Sequence, residues 1–233
     1  PAIREFWIEH TKRCRRTLRI VYQNIVFALA MGCKPKQYWA LLTAPEHVGS
    51  ISSQMGTEVF LMNVGVFGLF ILAYYNLIGA SFNGVTMGII FCMLATCNSG
   101  SHPGNVWPIM LGYVLASFLA SGLSGLAGGN FTFVINAQAI VVGLCYANGL
   151  SPITSKYGWF WGIVAAMMHY LLVTSVPNLH GGFCLYNGGF TAAGICIIHH
   201  NKNGHQPADQ YGHQEARPKG RSRFFHGVPP LFP

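Results

Sequence analysis

Between Val59 and Ile198 the chain carries one formally charged side chain, Lys156. A soluble domain cannot stay that uncharged over such a length, because its surface must be wetted. A bilayer protein can, since charge at membrane depth is costly. The block is also broken repeatedly by Gly, Pro and Asn, which uninterrupted spans would not need. Broken hydrophobic segments in a membrane core are the usual sign of a permeation or binding site.

Of the 233 residues, 52% are hydrophobic and 9% are charged, against about 25% charged in an ordinary globular domain. At about 20 residues per span, the block holds roughly four to six crossings. The reading is an all-α, polytopic helical bundle. It divides into a basic N-terminal segment (1–58), a transmembrane domain (59–200) and a basic, His-rich tail (201–233) expected to be disordered.

The net charge of +8 lies outside the block. Arg4, Lys12, Arg13, Arg15, Arg16, Arg19, Lys34 and Lys36 precede it, and Lys202, Arg217, Lys219, Arg221 and Arg223 follow. Basic flanks beside a membrane domain set topology more often than they bind nucleic acid. The expectation is therefore no nucleic-acid partner, both termini cytoplasmic and an even number of crossings. The chain starts at Pro1 without a signal-peptide pattern, as expected of a piece of a longer protein. Seven scattered Cys with no C-x-x-C pair argue against a disulfide framework or a zinc ribbon. No metal or cofactor is expected.

Leu18 to Cys33 reads as an interfacial helix in preference to the end of a span, and 34–53 as a loop. Val59–Tyr75, Trp107–Ala127, Phe133–Leu150 and Trp159–Val176 read as full spans, with 151–157 a short loop. Pro108 suits the first turn of its span. Two shorter apolar stretches, Val85–Cys97 and Thr191–Ile198, fall short of a crossing. They follow segments that echo each other: Ser81-Phe-Asn-Gly-Val-Thr-Met-Gly-Ile89 and Leu185-Tyr-Asn-Gly-Gly-Phe-Thr-Ala-Ala-Gly-Ile195. Asn is an N-cap and Gly permits the turn. Both read as half-helices whose N-termini offer N–H groups to a polar solute or anion. Ordinary kinked spans are the alternative. Four spans with two half-helices and six crossings both put the termini in the cytoplasm; Lys156 falls outside in the first and inside in the second, which the positive-inside rule slightly favours.

Asn83 and Asn187, with Thr86 and Thr191, are the candidate path residues, each also explicable as a cap or backbone bond. His102, His169 and His180 are the titratable groups of the core. No Asp or Glu occurs within the block. Coupled carriers commonly use one, so passive passage of a small neutral or anionic solute is favoured. The alternatives are a non-catalytic scaffold or subunit, using the small residues of 112–125, and an intramembrane His-dependent enzyme. The second is disfavoured because no catalytic set is present, and the chain reads as no enzyme. The partners expected are the lipid bilayer and the solute, with a homo-oligomer compatible.

The stretch from Phe82 to His200 resembles a family of bacterial polytopic membrane proteins designated domain of unknown function 1576. The resemblance is carried by Phe82-Asn-Gly-Val-Thr-Met-Gly88, His102-Pro103 leading to Pro108-Ile-Met-Leu-Gly112, Leu150-Ser-Pro-Ile153 with Gly158-Trp159 and Gly162, and Leu179-His-Gly-Gly-Phe-Cys-Leu-Tyr-Asn-Gly-Gly-Phe190. It covers about half the chain and implies a membrane location, as the C-terminal part of a longer protein; the membrane expected is the inner (plasma) membrane. A weaker likeness is to urea channels, whose paired half-helices start near Asn-Pro or Phe-Asn motifs. Here Asn-Gly stands in place of Asn-Pro.

Overall fold

The computed structural model describes residues 2–44, 48, 50–126 and 135–175. Asn187, His180 and Thr191 of the sequence reading, and the tail, lie outside them. All regular structure among the described residues is helical: α1 (Ala2–Ala30), α2 (Pro35–Leu42), α3 (Ile51–Gln54), α4 (Thr57–Leu77), α5 (Gly84–Ala95), α6 (Pro103–Leu126), α7 (Gln138–Ala147), α8 (Ser151–Tyr157) and α9 (Trp159–Ser175). A 3-10 turn extends α5 over Thr96–Ser99, and another extends α7 over Asn148–Leu150.

Among the described residues two helices, α4 and α6, are long and apolar enough to cross a membrane. Their apolar side chains are not all turned inward. On α6, Trp107, Leu111, Leu115, Phe118, Leu119, Leu123 and Leu126 are exposed, a stripe at the spacing of one helix face. Exposed apolar residues continue on α9, at Trp159, Phe160, Trp161, Met168, Leu171 and Leu172. The inner faces meet in one core that includes Phe67, Ile71, Tyr75, Ile90, Met93, Ile109, Tyr113, Leu144 and Tyr170.

Three elements differ from the sequence reading. The segment Leu18–Cys33, expected as a short interfacial helix, belongs mostly to the 29-residue α1. This helix lies antiparallel along α4, Val21 against Gly68 and Ile25 against Gly65. A methyl group at Gly65 would stand 2.3 Å from Ile25 Cγ1, so the missing side chains are what let α1 settle there. The expected loop 34–53 contains α2 and α3, and the loop 151–157 is α8. The third difference is at Pro103, which opens α6 five residues before Pro108. Pro108 is thus inside the helix, and without an N–H it leaves the Gly104 carbonyl unpaired along the ladder.

α5 and α6 form one hairpin, and α7 through α9 form a second. Hydrogen bonds tie the two in parallel register: Asn83 to Gln138, Thr96 to Asn148, Ser101 to Ser151 and Asn105 to Ser155 are separated by 55, 52, 50 and 50 residues. Trp107 stacks on Trp159 with ring centroids 6.3 Å apart. α6 and α9 pack closely at Gly112, where a Cβ would lie 2.7 Å from Ile163 O and from Ala166 Cβ.

Candidate functional site

A short helix, α5, begins where the first half-helix was expected. Asn83 is the N-cap of α5, and its side chain accepts from the Thr86 N–H at 3.0 Å, which satisfies one orphan donor of the first turn. Thr86 is buried. Its hydroxyl donates to Ser81 O at 2.6 Å, so it holds its own backbone as the bland reading anticipated. The Asn83 amide donates to Gln138 Oε1 at 2.7 Å, and Gln138 Nε2 donates to Thr86 Oγ1 at 3.4 Å. Asn136 Nδ2 reaches Gly79 O at 3.3 Å.

Gln138 opens α7. In the segment expected to span from Phe133, the described residues 135–137 precede the helix, and the N-cap position, Ala137, supplies no side-chain acceptor. Two helix N-termini therefore meet at one polar junction, which adds their positive dipole ends. Asn83 is half-buried, while Asn136 and Gln138 are exposed. The junction has spare hydrogen-bonding capacity: each amide can make more bonds than it does here.

The opposite ends of α5 and α7 are built differently. Asn63, Ser101, Asn105, Asn148 and Ser151 are all buried. Asn63 Nδ2 donates to Ser101 O at 2.8 Å, and the Tyr38 hydroxyl reaches Asn63 Oδ1 at 3.4 Å. Asn105 accepts from the His102 N–H at 2.9 Å and donates to Gly100 O at 2.9 Å and Ser155 Oγ at 3.1 Å. These amides cap the backbone where the 3-10 turn hands over to α6.

His102 belongs to this end. It is buried, and its carbonyl accepts from the Asn105 and Val106 amides, so its backbone starts α6. His169 is buried elsewhere, between α6 and α9, with Nδ1 2.6 Å from the Tyr113 hydroxyl. With the imidazole neutral, the tautomer sets the direction: the phenol donates to Nδ1 when the ring proton is on Nε2, and accepts from Nδ1–H otherwise. The described histidines thus join neither each other nor Asn83. No group of three His, Cys, Asp or Glu side chains converges among the described residues. Outside the apolar helices, burial pushes the Cys33 thiol up, and the Glu58 carboxylate adds to it, which disfavours a reactive thiolate there.

The pairing of Asn83 with Asn187 passed over Asn136 and Gln138. A signal for them was present. Asn followed nine residues later by Cys occurs at Asn24, inside α1, and Cys33, and again at Asn83 and Cys92, at Asn136 and Cys145, and at Asn187 and Cys196. The copies at Asn83 and Asn136 lie at the starts of the parallel helices α5 and α7, and the Cys145 thiol of α7 donates to Ile89 O of α5 at 3.9 Å.

The model of the family described as "Protein of unknown function (DUF1576)" matches residues 36–201. That is more than half of the chain, and the chain belongs to this family. No curated protein and no solved structure matches it significantly.

Proposed function

We propose that this member of the DUF1576 family is a polytopic membrane protein that binds a small polar solute, neutral or anionic, and passes it through the junction of α5 and α7. The observation that carries the reading is the meeting of two helix N-termini at Asn83 and Gln138, within a bundle whose outward faces are apolar. Such termini are ready-made sites for anions and polar groups, and discontinuous helices supply them at membrane depth in transporters. Depth follows from register. Gly143 of α7 neighbours Tyr113 of α6. From that level α7 extends back to Gln138 by about 8 Å, whereas α6 continues to Leu126 for about 20 Å. The junction then lies inside the depth that α6 covers. Asn83 and Gln138 are the path residues, with Asn136 beside them.

In this reading the second half of α1 also crosses, followed by α4, α5, α6, α7 and α9. Lys12, Arg15, Arg16 and Arg19 fall at one end of α1. Lys34, Lys36 and Lys156 fall at the other end of the bundle. The positive-inside rule puts the arginine end in the cytoplasm, and α9 returns the chain to that side of an inner (plasma) membrane. Urea channels serve as the analogy for solute class only.

The test is solute-induced swelling of proteoliposomes with urea, glycerol, small amides and small anions. Rapid swelling with one solute is expected, reduced at least about tenfold in Gln138→Leu, which keeps the Asn83 cap. Unchanged swelling in that variant would remove the junction from the path.

A second reading, a scaffold or homo-oligomer subunit, is favoured by one feature. Gly122 and Gly125 on α6 have open space where a Cβ would stand, and small residues allow close helix contact. Gly112 of the same stripe is already covered by α9. Loss of assembly in Gly122→Leu/Gly125→Leu, with swelling absent from the wild type, would favour it.

A further inference from the structure

We infer that the N-terminal half of α1 is a docking surface for anionic phospholipid headgroups. This inference rests on the membrane reading and is independent of the solute path. Lys12, Arg15, Arg16 and Arg19 follow the spacing i, i+3, i+4, i+7 and are all exposed. At 3.6 residues per turn this places them on one face. The packing stripe of the same helix, Thr17, Val21 and Ala28, is buried and lies roughly opposite, against α4 and α5. Thr17 Oγ1 contacts Met87 Sδ at 3.3 Å. The cations therefore point away from the protein.

Past Arg19 the outward surface changes chemistry. Ile20, Tyr22, Val26, Phe27 and Leu29 are exposed. One continuous helix thus presents a basic turn and then an apolar, aromatic-containing surface. That sequence matches the passage from headgroup to acyl chain, with Tyr22 at the boundary. The acids of this helix, Glu5 and Glu9, both lie upstream of Lys12, and the three arginines stand at least six residues beyond Glu9. Clusters of four or more Lys or Arg just cytoplasmic of a membrane helix attract anionic lipid, and the attraction falls with salt.

The test uses the full chain reconstituted in phosphatidylcholine, with spin-labelled phosphatidylglycerol or phosphatidylcholine as tracer. The wild type should immobilise phosphatidylglycerol at least about threefold more than phosphatidylcholine at low salt. The preference should approach one in Lys12→Gln/Arg15→Gln/Arg16→Gln/Arg19→Gln, and should weaken in high salt. Lys34→Gln/Lys36→Gln, at the other end of α1, should keep it. All four substituted side chains are exposed, so the quadruple variant should fold, checked by its helical circular dichroism. No preference in the wild type, an unchanged preference in the quadruple variant, or an equal loss in the Lys34/Lys36 variant would each overturn the inference.

Discussion

The two ends of the α5–α7 pair use the same side chains to opposite effect. At one end Asn63, Asn105 and Asn148 are buried, and their amides are engaged by backbone and hydroxyl groups. At the other, Asn83, Asn136 and Gln138 are half-buried or exposed, with bonds to one another, to Thr86 and to Gly79. A buried amide that bonds the backbone stabilises a turn and is out of reach of a ligand in solution. An open amide at a helix N-terminus contributes little to folding and keeps donors and acceptors free. Residue type alone does not separate these roles; burial does.

Stability measurements sharpen this contrast. Asn105→Leu should show the largest loss, about 3 kcal/mol in detergent unfolding, because it leaves the His102 N–H and Gly100 O buried without their partner. A loss below about 1 kcal/mol would mean that the Asn105 bonds do not hold the start of α6. Asn83→Ala should be intermediate, about 1 kcal/mol, the usual effect of removing an N-cap. Gln138→Leu should change stability by less than about 0.5 kcal/mol, as for an exposed position, while lowering swelling as above. A stability loss equal to that of Asn105→Leu would make Gln138 a structural residue.

The parallel register of the two hairpins has its own check. Mild oxidation should join Cys92 to Cys145 in a single disulfide, seen by peptide mass analysis. Cys97 is buried and should stay reduced. Failure of Cys92 and Cys145 to join would break the pairing of α5 with α7.

Much of the helical layout was legible. The absence of charge marked the apolar block, and Asn83-Gly84 marked the start of α5 because a cap and a turn are local events. The lengthwise packing of α1 was not legible, since it depends on Gly65 and Gly68 leaving a groove forty residues away in the chain. The start of α7 was missed because Ala137 is no capping residue, and apolar periodicity runs through it. Gln138 meets Asn83 only through a contact 55 residues long. The Asn and Cys spacing that would have pointed to Asn136 is a repeat of two residue types, faint beside the longer echo at Asn187. His102 and His169 looked alike in sequence, and only packing assigns one to a helix start and the other to a phenol.

The most direct test of the account is site-resolved labelling by a membrane-impermeant thiosulfonate, comparing Gln138→Cys with the native Cys97 in the same reconstituted protein. The open junction predicts that the cysteine at 138 reacts at least about tenfold faster than Cys97, since thiol reactivity requires access, and that a permeant solute slows it. Equal rates, or faster reaction at Cys97, would contradict an open junction at one end and a sealed network at the other.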